Sequence, residues 1–397
     1  MADLVNTILN TMSSLNKPQK TFMAYLLAAL MVFQGKATYR NLSRYSDMSE
    51  KRFSRWYRRA FPYAEFNSRL LTHAFPKEPE RIAAIDASFM KKSGKKTEGL
   101  GWFYNGAQGV SERGLEVSLV CAVNVQTNTA YSIDARLTLD REDQSRMDLY
   151  GQHIGDVAST LKRLNIRYVA ADACYSKTKF VCAVTDAGFH MIGKLRTDAN
   201  LKWFYTGGQK RTGRPRKFDV KVEFNTDLDR FERVTTLADG TEVYSAVVYS
   251  VSFKCAIRVV LLRAAKPGSE ARAILFSTDL ELDAQVVLLY YKARFQIEFL
   301  FRDAKQYTGL THCQSLRGQA ITNQVNASLT TLNVLKIEDQ QDKQIEDKSV
   351  ISIASWKRRK INQHLMSKVF DKFGLSLKSK KVADIYEELS HYGTIAV

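Results

Sequence analysis

Apolar positions run in helical register through the first 80 residues. Phe22–Phe33 (FMAYLLAALMVF) is an unbroken apolar run, too short to cross a bilayer and read as a buried helix. In Gly35–Phe61, Tyr39, Leu42 and Tyr45 form one helical stripe, Ser46-Asp47-Met48-Ser49 a turn, and Phe53, Trp56, Tyr57 and Ala60 a second stripe. From Arg81 the period changes to two, with Ala84, Asp86 and Ser88 on one face of a strand and Ala83, Ile85, Ala87 and Phe89 on the other. Leu115–Val125 and Thr129–Thr138 follow as strands, joined through the turn-forming Gln126, Thr127 and Asn128. Met147, Tyr150, Ile154, Val157, Leu161 and Leu164 then repeat at helical steps, with Asp140 as the predicted N-cap. Ile166–Ala171 is an apolar strand ending in Asp172, a helix is predicted around Lys177–Ala187, and Phe189–Ile192 gives a fifth strand.

Three strands, a helix, a strand, a helix and a strand predict a mixed α/β sheet, in the order of a ribonuclease H-like core. Between about Asn200 and Leu280 the chain turns into alternating strand-like runs such as Val243–Ser250 and Phe253–Arg263, a β-rich insertion. The α/β pattern resumes with one uninterrupted helix expected from about Asp283 to about Gln306. The polar tract Glu338–Lys348 reads as a linker before a basic helical tail. The expected organisation is therefore a helical N-terminal region (1–80), the first part of the core (81–197), the insertion (198–282), the core's last helices (283–337), and a linker with the tail (338–397).

Charge narrows the partner. A formal net charge of +18 over 397 residues points to a polyanion, with nucleic acid the leading candidate. The basic residues are clustered: Gln209–Lys217 holds Lys210, Arg211, Arg214, Arg216 and Lys217, and Trp356–Lys360 reads WKRRK. Lys36–Phe61 adds more, including Arg52, Arg55, Arg58 and Arg59 in the helix of the second stripe. Two short helices, a tight turn and a basic second helix fit a helix-turn-helix, and they fit a plain helical hairpin with a solvated basic face as well. The five cysteines are scattered and lack metal-ligand or paired spacing, which predicts reduced thiols in a cytoplasmic protein. No signal peptide is visible.

The segment Tyr290–Lys305 (YYKARFQIEFLFRDAK) carries a polar stripe on a hydrophobic rod. At about 100° per residue, Tyr291, Arg294, Glu298 and Lys305 fall within a sector of roughly 60°, with Arg302 beside it. Such a stripe is costly to bury unless it faces a charged ligand. The plain alternative is a salt-bridge ladder of Glu298 with Arg294 and Arg302. Three carboxylates stand out: Asp86 within the first strand, Asp172 at the end of the fourth, and Glu298 on the helix after the insertion. A lone strand aspartate is commonly a turn or cap residue. Three carboxylates in this order suit phosphodiester chemistry with divalent ions, and hard oxygen ligands suit Mg²⁺ or Mn²⁺.

Here the chain resembles the DDE transposases of bacterial insertion sequences, in the cut-and-paste group whose signature is Y-x2-R-x3-E-x6-K. Tyr291, Arg294, Glu298 and Lys305 match all four positions and spacings, and Asp86-Ala87-Ser88-Phe89 and Asp172-Ala173-Cys174-Tyr175 supply the two aspartates. The resemblance implies that Asp86, Asp172 and Glu298 bind two Mg²⁺ ions, with Mn²⁺ able to substitute, while Tyr291, Arg294 and Lys305 hold DNA phosphates. It implies double-stranded DNA as partner, both terminal inverted repeats and target, a homodimer synapsed on two ends, and no membrane. In relatives that form a DNA hairpin, an aromatic platform in the insertion holds a flipped base, for which Trp203, Tyr205 or Phe253 are the candidates here. Two alternatives remain: a metal-dependent nuclease on the same fold, and a DNA-binding relative without catalysis.

Overall fold

The computed structural model describes residues 2–139, 143–264, 271–342 and 352–395. It opens with helices α1 (Ala2–Thr11), α2 (Lys17–Val32), α3 (Tyr39–Leu42), α4 (Glu50–Trp56) and α5 (Tyr63–Ala74). A capping box between Asn16 and Gln19 starts α2, which buries the apolar run read from the sequence. The helical pair that follows is short: α3 has one turn, continued by a 3-10 turn at Ser43–Tyr45, and α4 has two. Phe53 and Tyr57 anchor α4 by packing edge-on against Phe22 of α2.

The chain then forms β1 (Arg81–Lys91), β2 (Gly101–Asn105), β3 (Val110–Asn124), β4 (Thr129–Leu137), α6 (Arg146–Arg163), β5 (Tyr168–Ala171), α7 (Thr178–Asp186) and β6 (His190–Leu195). The sequence did not lead us to expect β2 or the first part of β3, which extend the sheet as a hairpin. Ser145 caps α6 through a capping box with Asp148, while Asp140 lies outside the described residues. There follow β7 (Leu201–Phe204), β8 (Phe218–Lys221), β9 (Glu232–Thr236), β10 (Thr241–Ser250), β11 (Cys255–Ala264) and β12 (Ala271–Ser277). Among the described residues these strands form one sheet in the order β2-β3-β1-β5-β6-β12-β11-β10-β7-β8, with β4 on β3 and β9 on β10. Only β1, β5 and β6 run parallel to one another; the remaining pairs are antiparallel. The architecture is mixed α/β with a large, mostly antiparallel sheet.

The closing helices are α8 (Ala284–Ala293), α9 (Gln296–Asp303), α10 (Gly318–Asp342), α11 (Ile353–Phe373) and α12 (Lys380–Ser390). The uninterrupted helix expected over 283–306 is corrected in two places. At Arg294 and Phe295 the backbone stays right-handed but tightens, so that Ile297 N–H reaches Arg294 O at 3.1 Å and Glu298 N–H reaches Phe295 O at 3.0 Å. After Asp303 it widens into a π-helical turn, Ala304–Thr308, closed by Gly309 at φ 75°. A Cβ at Gly309 would also stand 2.7 Å from that of Ala37, so this left-handed stop requires glycine. The linker expected over Glu338–Lys348 is corrected in its first part, while 343–348 lies outside the described residues. In that first part α10 continues to Asp342, with Glu338 paired to Lys360 at 2.7 Å and Asp339 accepting from the Trp356 indole.

Buried asparagines fix α10 to the sheet. Among the described residues β4 pairs only with β3, which leaves outward backbone groups to be satisfied. Asn326 bonds both backbone groups of Ala135 (2.9 and 2.7 Å), and Asn333 both those of Ser132 (2.9 and 2.8 Å). Asn67 of α5 takes the Ile133 carbonyl at the bulge between them. The π-turn is tied to α10 by Thr308 and Ser328, whose hydroxyls lie 2.8 Å apart. No described helix is long and apolar enough to cross a membrane.

Candidate active site

Strands β1 and β5 run parallel, and their last registered pair is Ile85 with Ala171. Asp86 comes next on β1 and Asp172 is the first residue past the end of β5, so the two carboxylates neighbour each other where strands about 4.8 Å apart end their pairing. Each turns one oxygen onto the following residue: Asp86 Oδ1 accepts from Ala87 N–H at 2.8 Å and Asp172 Oδ1 from Ala173 N–H at 2.6 Å. Each bond reaches only the next residue and occupies one carboxylate oxygen. Asp172 thereby caps the 3-10 turn Ala173–Tyr175, while Asp86 lies within β1.

The stripe on α8 and α9 faces this pair despite the break between the helices. Tyr291 donates its hydroxyl to Asp172 Oδ1 at 3.5 Å. Lys305 donates to Ser88 Oγ at 2.8 Å, on the face of β1 that carries Asp86. The Arg294 guanidinium lies 5.6 Å from the Tyr291 ring centre, and its side chain is only 10% exposed while Glu298's is 45% exposed. Its Nε is buried without a hydrogen-bond partner. The Arg294–Glu298 approach is 3.8 Å, too long for a hydrogen bond. Arg302 turns to Asp303 at 2.9 Å and stacks on Phe299, so the Glu298–Arg302 rung of the ladder is not formed.

Electrostatics tie the three carboxylates together. Burial pushes the Asp86 carboxyl up to about 6; its own Ala87 N–H and Arg294 pull it down, and Asp172 and Glu298 push it up. Burial likewise raises the Tyr291 phenol to about 12, which keeps it a neutral donor. Among the described residues, no three acidic, histidine or cysteine side chains converge as a ready-made ion cage. The donor set nevertheless fits a hard divalent cation, because the half-buried Asp86 carries a negative-charge penalty that a cation would relieve.

The other basic residues divide. Arg52, Arg55, Arg58 and Arg59 are all exposed on or just after α4, and Arg59 lies 4.4 Å over the Trp56 ring. Lys210, Arg211, Arg214, Arg216 and Lys217 are exposed on the loop between β7 and β8, where Arg216 is held by Asp219 at 2.8 Å and by the Tyr205 ring. The WKRRK tail is corrected. Lys357 donates to the carbonyls of Phe33 and Tyr307, Arg359 pairs with Glu387 and Lys360 with Glu338, so only Arg358 is exposed. Trp203 and Phe253 are corrected too: both are core residues, Trp203 bonded to Asp227 and Phe253 packed on Phe276. Ser88, the partner of Lys305, was not singled out from the sequence, although alternation with Asp86 placed it on the right face.

The family model for the transposase DDE domain matches residues 77–334. Comparison with curated proteins gave no match. The matched segment is more than half of the chain and holds β1, β5 and α9 with Asp86, Asp172 and Glu298. The chain belongs to the transposase DDE domain family.

Proposed function

We propose that the protein is a cut-and-paste transposase that binds the inverted repeats of an insertion sequence, cleaves DNA strands there and joins them to target DNA. The observation that carries this reading is the juxtaposition of Asp86 on β1 and Asp172 just past the end of the neighbouring parallel strand β5, opposite the α8–α9 segment that brings Glu298, Arg294 and Tyr291 towards them. The run β4-β3-β1 antiparallel, then β5 and β6 parallel to β1, supports a ribonuclease H-like core, and β7–β12 support an insertion whose strands continue its sheet. Asp86, Asp172 and Glu298 would hold two divalent ions, Mg²⁺ or Mn²⁺. Bound there, they would activate the attacking oxygen and stabilise the leaving one. Arg294, Tyr291 and Lys305 hold phosphate oxygens beside the carboxylates and orient the strand. Strand transfer separates this reading from a plain nuclease: with a pre-cut end and a target duplex, joined products are expected, and cut but never joined products would favour the nuclease.

The β7–β8 loop gives a second expected outcome. Each phosphate it contacts contributes a slope of about 0.9 in log K against log[salt]. Neutralising Lys210, Arg211, Arg214, Arg216 and Lys217 together should flatten the slope by about 2–4, measured by equilibrium binding to a duplex carrying the inverted repeat. An unchanged slope would make the loop a solvated surface. Arg52, Arg55, Arg58 and Arg59 serve the same duplex from α4.

A homodimer on paired DNA ends is supported by the last two helices. Leu365, Val369 and Phe373 form an exposed stripe on α11, as Ile385, Leu389 and Tyr392 do along α12 and just beyond it. Lys368 and Lys372 flank the first stripe and Asp384 and Glu388 the second, so α11 of one copy complements α12 of another. Phe373→Glu with Leu389→Glu should convert a complex of two chains on two ends into one chain per end by sedimentation analysis. A complex of unchanged mass would remove this interface. The protein is expected to act in the cytoplasm, on nucleoid DNA.

A further inference from the structure

Strand β2 forms the outer edge of the described sheet and pairs with β3 alone. Its alternation leaves Trp102 66% and Tyr104 61% exposed, while Phe103 between them is buried beneath the Arg146 guanidinium. The register shows which way the two exposed rings look. Trp102 lies opposite Arg113 and Tyr104 opposite Ser111, while Asp86 lies opposite Leu119 and Ser88 opposite Val117. Neither pairing contains a bulge, so these odd-numbered positions of β3 share one face, and Trp102, Tyr104 and Arg113 stand on the face of Asp86 and Ser88. Six residues along β3 separate the two places, about 20 Å at about 3.3 Å per residue.

The hairpin is fixed relative to the carboxylates. Lys92 donates to the Cys313 carbonyl, Glu98 N–H to Leu316 O at 2.9 Å, and Gly318 N–H to the Glu98 carboxylate at 2.7 Å. These bonds fasten the loop entering β2 to the segment that joins α9 to α10. Arg113 is exposed opposite Trp102 on the same face, and Lys95 and Lys96 are exposed in the loop that leads into β2.

We propose that this face of the β2–β3 hairpin binds unpaired nucleotides of the DNA held at the carboxylates, with Trp102 and Tyr104 stacking on bases and Arg113, Lys95 and Lys96 contacting phosphates. The proposal rests on the DNA-cleavage reading above. Bases within a duplex already stack on one another, so a flat exposed ring gains most from a base freed of its partner. Rings two residues apart on a strand stand about 6.6 Å from each other, roughly twice the 3.4 Å base step of a duplex strand, which suits a drawn-out single strand. Arg113 beside the rings and the exposed lysines of the loop into β2 favour DNA over a second copy of a chain whose own net charge is +18.

The test uses the full chain and two DNAs, a blunt duplex carrying the inverted repeat and the same duplex with an unpaired extension of several nucleotides. Wild type should bind the extended DNA more tightly. Trp102→Ala with Tyr104→Ala should lose about tenfold per ring on the extended DNA and nothing on the blunt one, and Trp102→Phe should keep most of the affinity. Equal binding of both DNAs by wild type, or a double variant that matches wild type on the extension, would overturn the inference. So would a double variant that loses only self-association, which would make this face a protein interface. Failure of the underlying reading looks different: wild type would then neither bind nor cut the blunt inverted-repeat duplex.

Discussion

Asp86→Asn is expected to reduce end cleavage by at least about a thousandfold, the scale of removing one ligand from a centre worth several kcal/mol to the reaction. The same change should raise the melting temperature at pH 8 in the absence of divalent ions. The sign follows from the carboxyl's two environments. In the folded chain it binds its proton with a pKa of about 6, against an ordinary value of 3.8. Its contribution to stability is therefore full below about pH 4, falls away as pH rises through 6, and is absent at pH 8. Two units correspond to a difference on the order of 2–3 kcal/mol. Asparagine keeps the acceptor for Ala87 N–H and discards the charge. The variant's advantage in melting temperature should accordingly be largest at pH 8 and vanish below about pH 4. A variant that melts below wild type at pH 8 would contradict this account of the site's electrostatics.

Arg294→Ala distinguishes a structural ion pair from a phosphate contact. If Arg294 and Glu298 were a buried pair, losing the cation would strand a carboxylate and cost about 3 kcal/mol or more. The geometry argues against that cost. Their separation is 3.8 Å, Glu298 is nearly half exposed, and Arg294 Nε has no partner. The guanidinium is thus a buried donor with capacity to spare, close enough to Asp86 to draw its carboxyl down. Melting should stay within a few degrees of wild type, while single-turnover cleavage should fall by about an order of magnitude or more. Lys305→Ala should behave alike, since its only described hydrogen bond is to Ser88. Comparing pre-cut and uncut ends locates the loss. A large drop in melting temperature with normal cleavage per folded molecule would return Arg294 to a structural role.

The parts of the site that were legible in the sequence depend on local periodicity. Alternation put Asp86 and Ser88 on one face of β1, and helical spacing put Tyr291, Arg294, Glu298 and Lys305 on one side of their segment. The tightened turn at Arg294 escaped notice because no glycine or proline marks it, and the π-turn because Gly309 marks only its end. The π-turn is held from outside, by Ser328 of α10 on Thr308. The polar face of α10 was illegible for the same reason. Asn326 and Asn333 look like surface residues until β4, nearly two hundred positions earlier, offers its unpaired backbone. The basic tail was misread because a cluster of cations resembles a DNA-binding surface whether or not carbonyls and carboxylates already occupy it. Trp203 and Phe253 were misread since exposure is a tertiary property, and in β2 the aromatic run Trp102-Phe103-Tyr104 went unremarked.

The central claim is that Asp86, Asp172 and Glu298 act together on DNA through a divalent ion. Its most direct test is single-turnover cleavage of a duplex carrying the inverted repeat, in Mg²⁺, by wild type and by Asp86→Ala, Asp172→Ala and Glu298→Ala, with binding to the same duplex measured alongside. The account predicts that each variant binds the duplex at least as tightly as wild type, a negative charge near phosphate having been removed, and that none cuts it. Cleavage at near wild-type rate by any one of the three would remove that residue from the site and contradict the claim.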